Sequence, residues 1–418
     1  MDREAFVYMD HHKGPTLVGR LWSRVRKGRE SASFEYDPGW LSRPDRFALE
    51  PALILAPGPY HAGPDRPLFG AIGDSAPDRW GRALMRRAER RRAERERQAP
   101  RTLFEIDYLL MVDDEVRAGA LRFRETQNGP FLSEPGRFRI PPLVDLPRLL
   151  SATERVIENR EDDEDLRLLI APGSSLGGAR PKASVRNSDG ALAIAKFPHR
   201  DDTVDVVLWE GVALTLAARA GIAVPQWRIE TIADRAALIL RRFDRKGAER
   251  IPFVSAMSML GAADNEPHSY LEIVEALRRH GAAPKEDMVQ LWRRIVFNVL
   301  ISNTDDHLRN HGFLYEGQGG GWRLSPAYDM NPVPVEIKPR VLSTAIESDD
   351  PTASVDLAFR NAEYFGLKTR DARAVAADVA AIVAGWRDVA AAVGLQRADI
   401  DRMASAFEHD DLKKAQTG

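Results

Sequence analysis

At 418 residues the chain is too long for one ordinary domain and long enough for two or three subdomains with their own cores. With no cysteine, disulfides, thiolate chemistry and cysteine-based zinc sites are excluded. Sixty basic against 62 acidic residues give a net charge of -2, so no whole-chain field draws nucleic acid, and any DNA contact must be local or made through a partner.

No run approaches the roughly 18 apolar residues of a membrane helix. The charged N-terminus (Asp2, Arg3, Glu4, Asp10) has no apolar core of the kind a signal peptide needs, so a cytosolic (cytoplasmic) location with no membrane partner is expected. Phe6-Val7-Tyr8-Met9 and residues 17–22 read as paired strands around a His-Lys-Gly-Pro turn, with a third strand at Ser33-Phe34-Glu35-Tyr36. Residues 51–67, rich in Pro and Gly, read as loop. A helix is expected over 80–98 with Asp78 as its cap. Its arginine-dense second half is either a solvated face laced with i,i+4 pairs or a nucleic-acid or partner surface.

Pro100 is expected to end that helix; residues 106–112 read as core and 119–123 as a strand. Pro141 and Pro142 mark a linker before a helix from about 146 to 160, and the acidic run 161–165 reads as a solvated helix end. The expected parts are 1–140 as an N-terminal subdomain, 141–248 with a glycine-rich loop, strands and one helix, and 249–418 as a mostly helical lobe, with β structure near 312–346 and Ala-rich packing helix over 372–395.

The segment Gly173-Ser174-Ser175-Leu176-Gly177-Gly178 lies between an apolar stretch and a strand. Glycines there let backbone amides approach nucleotide phosphates, although a plain hairpin turn has the same composition. The strand Ala193-Ile194-Ala195-Lys196-Phe197 carries a lysine that either faces solvent at an edge or holds the phosphates of ATP. Glu210, on a helix over 206–220 capped by Gly221, is its candidate carboxylate partner. The strongest signal is Asn303-Thr304-Asp305-Asp306-His307-Leu308-Arg309-Asn310. An aspartate and an asparagine five residues apart after a hydrophobic helix match the catalytic loop of protein kinases, Asp305 taking the proton of an attacking hydroxyl and Asn310 holding magnesium. A polar turn with an Asp cap is the plainer alternative. Nineteen residues on, Asp329 follows an expected hairpin (313–315 with 322–324), where the metal-binding aspartate of kinases lies. Met330 and Asn331 replace the Phe and Gly of the kinase motif. Each signal is modest, but their order is the kinase order.

These residues resemble the HipA-like toxin kinases, bacterial serine/threonine kinases of toxin–antitoxin systems. Ser175-Leu176-Gly177-Gly178-Ala179-Arg180-Pro181-Lys182, Leu240-Arg241-Arg242-Phe243-Asp244-Arg245, the 303–310 loop and Tyr328-Asp329 carry the likeness, with Pro77-Asp78-Arg79-Trp80-Gly81-Arg82 in the N-terminal region. The resemblance implies an α+β, bilobal, protein-kinase-like fold with an N-terminal β-rich subdomain and a mostly helical C-terminal lobe. It implies ATP and Mg2+ as cofactors, Asp305 as catalytic base, Asn310 and Asp329 as metal ligands, Lys196 as the ATP lysine, and Gly177 and Gly178 in the phosphate-covering loop. Ser175, or its neighbour Ser174, would be the autophosphorylated serine, and modification there would repel ATP and switch the enzyme off. His307 either orients the loop or makes a structural hydrogen bond. The implied substrate is a protein of the translation machinery such as an aminoacyl-tRNA synthetase. The implied partner is a helix-turn-helix antitoxin of the HipB type, which brings DNA indirectly. A kinase-fold small-molecule phosphotransferase and an inactive nucleotide-binding regulatory module are the alternatives the sequence leaves open.

Overall fold

The structure, a computed structural model, describes residues 2–11, 14–63, 66–132, 140–170, 178, 180–317 and 320–417. Ser174, Ser175 and Gly177 therefore lie outside the described residues. The chain divides into two compact units, Met1–Asp201 with Glu230–Val254, and Asp202–Ile229 with Ser255–Gly418. This division runs differently from the three-part reading of the sequence. Position 140 falls inside the first unit, where the Arg186 amide donates to the Pro141 carbonyl at 3.0 Å, and residues 202–229 belong to the second.

In the first unit β1 (Asp2–Asp10), β2 (Pro15–Arg26) and β3 (Arg29–Tyr36) form an antiparallel meander. The short β4 (Pro59–His61) and β5 (Leu121–Arg124) close its two edges in the order β4-β3-β2-β1-β5. The segment read as loop over 51–67 thus contains one edge strand, with Tyr60 opposite Phe34. Gly19 is required at the centre of this sheet, because a Cβ there would lie 2.2 Å from the Glu35 carbonyl oxygen.

Helix α1 (Arg79–Arg95) starts at Asp78, whose carboxylate accepts from the Gly81 amide at 2.8 Å. It stops before Pro100, since Arg97 has φ +52, a left-handed backbone that a helix cannot continue. Its arginines are largely paired: Arg87 with Glu161 at 2.9 Å, Arg92 with Glu89 at 2.7 Å, Arg95 with Asp163 at 2.8 Å. That pattern favours the ion-paired face over the nucleic-acid surface. It also corrects the reading of 161–165 as a solvated end. Glu161 and Asp165 are buried, Asp165 by a bidentate contact with Arg155 of α2 (Leu146–Ile157).

The core of this unit gathers Leu149 and Val156 of α2, Leu166 and Leu169 of α3 (Asp163–Ile170), and Trp80 and Leu84 of α1. Against them lie alternate residues of β6 (Lys182–Arg186) and β7 (Leu192–Lys196), namely Ala183, Val185, Ala193 and Ala195. The period-two rule therefore puts Lys182 and Lys196, which face each other across the ladder, on the other side of the sheet. Strands β8 (Trp227–Ile232) and β9 (Arg235–Arg241) complete a sheet in the order β6-β7-β9-β8.

The second unit is mostly helical. Helix α4 (Val206–Arg219) ends at Gly221, which has φ +75. Its Trp209 packs in an aromatic cluster with Trp386 and Phe407, the latter two stacked at 4.4 Å between centroids. Helices α5 (Tyr270–His280) and α6 (Pro284–Leu300) follow. From Arg294 to Leu300 every residue of α6 is buried, so the chain leaves that helix inside the unit. The expected hairpin is β10 (Gly312–Glu316) with β11 (Gly321–Leu324). Beyond it the chain to 354 is irregular apart from isolated bridges, so the β-rich stretch is shorter than expected. The Ala-rich segment is two helices, α7 (Thr369–Val383) and α8 (Trp386–Val393), separated at Gly385. Among the described residues no helix is long and apolar enough to cross a membrane.

Candidate functional site

Three features fix the loop that follows α6. Ser302 adopts a left-handed backbone (φ +52) and its hydroxyl donates to the Ala406 carbonyl at 2.8 Å. The Asn303 amide returns to the Asn298 carbonyl at 2.8 Å, and the two Asn side chains bond at 3.1 Å. Asp306 is then driven inward, where one carboxylate oxygen accepts from Tyr270 Oη at 2.5 Å and Asn298 Nδ2 at 2.8 Å and lies 2.8 Å from His311 Nε2. Burial alone would raise the Asp306 pKa; the charge and hydrogen bond of His311 and the Tyr270 bond outweigh it and hold the group below the ordinary carboxylate range. Burial and the neighbouring Asp306 carboxylate push the Tyr270 phenol well up, so it remains a donor.

The adjacent Asp305 has the opposite environment. Its side chain is 71% exposed. Its backbone, however, is fixed: the carbonyl accepts from the His307 amide at 2.9 Å and from Asn310 Nδ2 at 3.2 Å, and the Asn310 amide returns to His307 at 2.8 Å. Two neighbouring aspartates are thereby separated into one that fastens the loop from inside and one presented at its surface. The five-residue spacing to Asn310 points to Asp305, but it carries no information on which of the two is buried.

With its nitrogen given to Asp305, the Asn310 side chain leaves Oδ1 buried and without a hydrogen-bond partner among the described residues. A buried carbonyl oxygen in that state costs free energy unless something else satisfies it, and a hard cation does so. Asn331 Oδ1 likewise has no hydrogen-bond partner among the described residues, while its nitrogen lies 3.5 Å from Asp329 Oδ1. Asp329 itself has φ +58, unusual for a non-glycine residue and frequent where function demands a strained backbone. Its segment is tied to the loop by the Asn331 amide on Asn303 Oδ1 at 3.3 Å, the Val333 amide on the Ser302 carbonyl at 3.2 Å, and Tyr328 Oη on the Arg309 carbonyl at 2.7 Å. Asp305, Asn310 and Asp329 thus share one hydrogen-bonded framework. Among the described residues no group of three or more His, Asp or Glu forms a ready-made metal cage. The donor set of one amide and one carboxylate suits magnesium, which keeps several ligands for water and phosphate.

His307 contributes its backbone amide to the loop, and its half-buried ring has an Nδ1 with no partner among the described residues. In the first unit Lys196 is half-buried at the end of β7, and Gly178 has φ +94. Glu210, in the second unit, is buried on α4.

Sequence reasoning missed the partners of the loop: Tyr270, Asn298 and His311 around Asp306, and Lys338, whose Nζ is 3.7 Å from Asp305 Oδ1. It also passed over Lys182 as a buried cation. Lys182 Nζ is 2.7 Å from Asp78 Oδ2, both side chains are 3% exposed, and Nζ also donates to the Gly178 carbonyl at 3.3 Å. The one available signal was an Asp-x4-His spacing, 306 to 311, overlapping the Asp-x4-Asn motif one residue further on.

Residues 174–386 match the family model described as the HipA-like C-terminal domain, and residues 9–106 match the HipA N-terminal domain. Among curated proteins, two relatives carry the name "putative kinase". The one from Sinorhizobium fredii is 26% identical over 345 residues, 75% of each chain. The one from Haemophilus influenzae is 26% identical over 152 residues, 33% of this chain and 43% of its own. Among solved structures, a chain of the Shewanella oneidensis toxin–antitoxin complex of HipA, HipB and operator DNA shares the fold, with TM-score 0.67, 16% identity, and coverage of 98% of this chain and 96% of that one.

Proposed function

Because the chain belongs to the HipA-like family, we propose that it is an ATP- and magnesium-dependent serine/threonine protein kinase, the toxin of a type II toxin–antitoxin pair. The single observation that carries this reading is the state of Asn310, whose nitrogen fastens the Asp305 carbonyl while its buried oxygen has no hydrogen-bond partner among the described residues.

In this reading the exposed carboxylate of Asp305 accepts the proton of the acceptor hydroxyl as its oxygen attacks the γ-phosphorus of ATP. Asn310 and Asp329 hold magnesium, which would neutralise charge on the phosphates. Asp306, kept ionised by His311 and Tyr270, holds the loop that presents Asp305 and does not itself exchange protons. Lys196 takes the ATP phosphates, with Glu210 as its carboxylate and Gly177 and Gly178 in the covering loop; His307 orients the loop. Phosphorylation of Ser175 (or Ser174) is the proposed self-inactivating event. A translation-related protein such as an aminoacyl-tRNA synthetase is the proposed substrate. A HipB-type helix-turn-helix antitoxin is the proposed partner, through which DNA is met indirectly, in the cytoplasm. The likeness to a HipA chain solved with HipB and operator DNA supports the partner.

The test is peptide mass spectrometry after incubation with Mg-ATP, for wild type and Asp305→Asn. Phosphate on the 174–175 segment in wild type alone is the expected result. Its absence from both, with magnesium-dependent ATP binding retained, would overturn the protein-kinase toxin reading and leave a small-molecule phosphotransferase or a nucleotide-binding regulatory module.

A further inference from the structure

Phosphoryl transfer spreads negative charge over the three equatorial oxygens of the moving group, and enzymes place cations there. The loop 303–310 supplies no cation for this purpose. Its one arginine, Arg309, is turned to the carboxylate of Asp264 in a two-pronged contact, and its carbonyl is held by Tyr328. Among the described residues the cation paired with Asp305 comes from another segment: Lys338 Nζ is 3.7 Å from Asp305 Oδ1.

The placement of Lys338 is built. The turn that carries it is closed by the Ile337 and Lys338 amides on the Pro334 carbonyl, at 2.9 and 3.2 Å. One side of the turn is fastened to the base of the loop by the Val333 amide on Ser302. The other is fastened by the Val335 amide on Ser405 Oγ at 3.2 Å, which in turn donates to Glu336 at 2.6 Å. Pro332, Pro334 and Pro339 fix φ at three points around it. Yet the ion pair is solvent-exposed, 40% at the lysine and 71% at the aspartate. Exposed pairs of this kind are worth at most about 1 kcal/mol, so stability does not account for a lysine held at this position by so constrained a turn.

We propose that Lys338 is a further catalytic residue, whose ammonium binds the transferring γ-phosphoryl group beside Asp305. This inference rests on the kinase reading. The acceptor oxygen forms a bond to the γ-phosphorus and its proton passes to Asp305. The bond from the γ-phosphorus to the bridging oxygen breaks, and its electron pair leaves with ADP. Lys338 exchanges no proton; it gives up its contact with Asp305 for the phosphoryl oxygens, whose charge is greatest in the transition state. Its effect therefore belongs in the maximal rate and not in ATP affinity.

The experiment measures phosphate incorporation from γ-labelled ATP into the full chain, across ATP concentrations, for wild type, Lys338→Met and Lys338→Arg. A maximal rate lower by roughly 100-fold in Lys338→Met is expected, as for removal of one charge-stabilising donor. The half-saturating ATP concentration stays within about threefold, and Lys338→Arg recovers part of the rate. A Lys338→Met rate within about threefold of wild type overturns the inference and leaves the kinase reading standing. So does a rise in half-saturating ATP at unchanged rate. No incorporation by wild type overturns both together.

Discussion

Replacing Asp78 by Asn tests how the first unit holds the end of its glycine-rich segment. Asn accepts a hydrogen bond at a helix cap about as well as Asp, so the bond from the Gly81 amide survives and only the charge is removed. Lys182, a buried ammonium 3% exposed, then loses the carboxylate at 2.7 Å. Removing one member of a buried ion pair costs about 3–5 kcal/mol. With a urea slope near 3 kcal/mol per molar, the unfolding midpoint of this unit falls by roughly 1 to 1.7 M. Lys182→Met leaves a different orphan. Burial already raises the Asp78 pKa against the pull of Lys182, so the abandoned carboxyl takes up a proton, and the cost drops to about 1–3 kcal/mol. The Asp78→Asn/Lys182→Met double variant, with no buried charge, recovers most of the loss. Urea titrations at pH 7 give the midpoints, and hydrogen exchange at the Gly81 amide reports locally. A midpoint within about 0.3 M of wild type for Asp78→Asn, or a double variant as unstable as the sum of the singles, refutes the argument.

Asp306→Ala strands three buried groups, Tyr270 Oη, Asn298 Nδ2 and His311 Nε2. At about 1–3 kcal/mol each with partial relaxation, the loss is on the order of 3–6 kcal/mol, and thermal melting shows it as a large fall in the second unit's Tm. Because its folded pKa is depressed, Asp306 contributes stability that is complete above about pH 4 and lost as pH falls through that depressed value; the Asp306→Asn variant melts with less acid dependence. Glu50 runs the other way. Burial raises its pKa to about 7, against the hydrogen bond from the Ala71 amide. Its contribution is therefore complete below about pH 4.3 and lost as pH rises through 7. Glu50→Gln should raise Tm at pH 8 and bring no gain at pH 4.5; an equal change at both values would show that the group does not titrate in this range.

The amino-acid sequence alone determined the local framework, because its signals are local. Alternation and turn residues marked β1 to β3, the Asp78 cap marked α1, and the apolar run before 301 marked the buried helix from which the 303–310 loop emerges. Spacing pointed to Asp305, Asn310 and Asp329 as the candidates. Tertiary structure decided what depends on residues distant in the chain. The acidic run at 161–165 was misjudged because its partners, Arg87 and Arg155, lie on other helices. Nothing in the local sequence says which of Asp305 and Asp306 is buried. That distinction is made by Tyr270, 36 residues upstream, with Asn298 and His311, which draw one carboxylate inward and leave the other at the surface. Burial likewise turned Lys182, an ordinary lysine in the sequence, into half of a charge pair with a residue 104 positions away. A buried charge must find its counter-charge wherever the fold supplies one, and sequence separation carries no record of that.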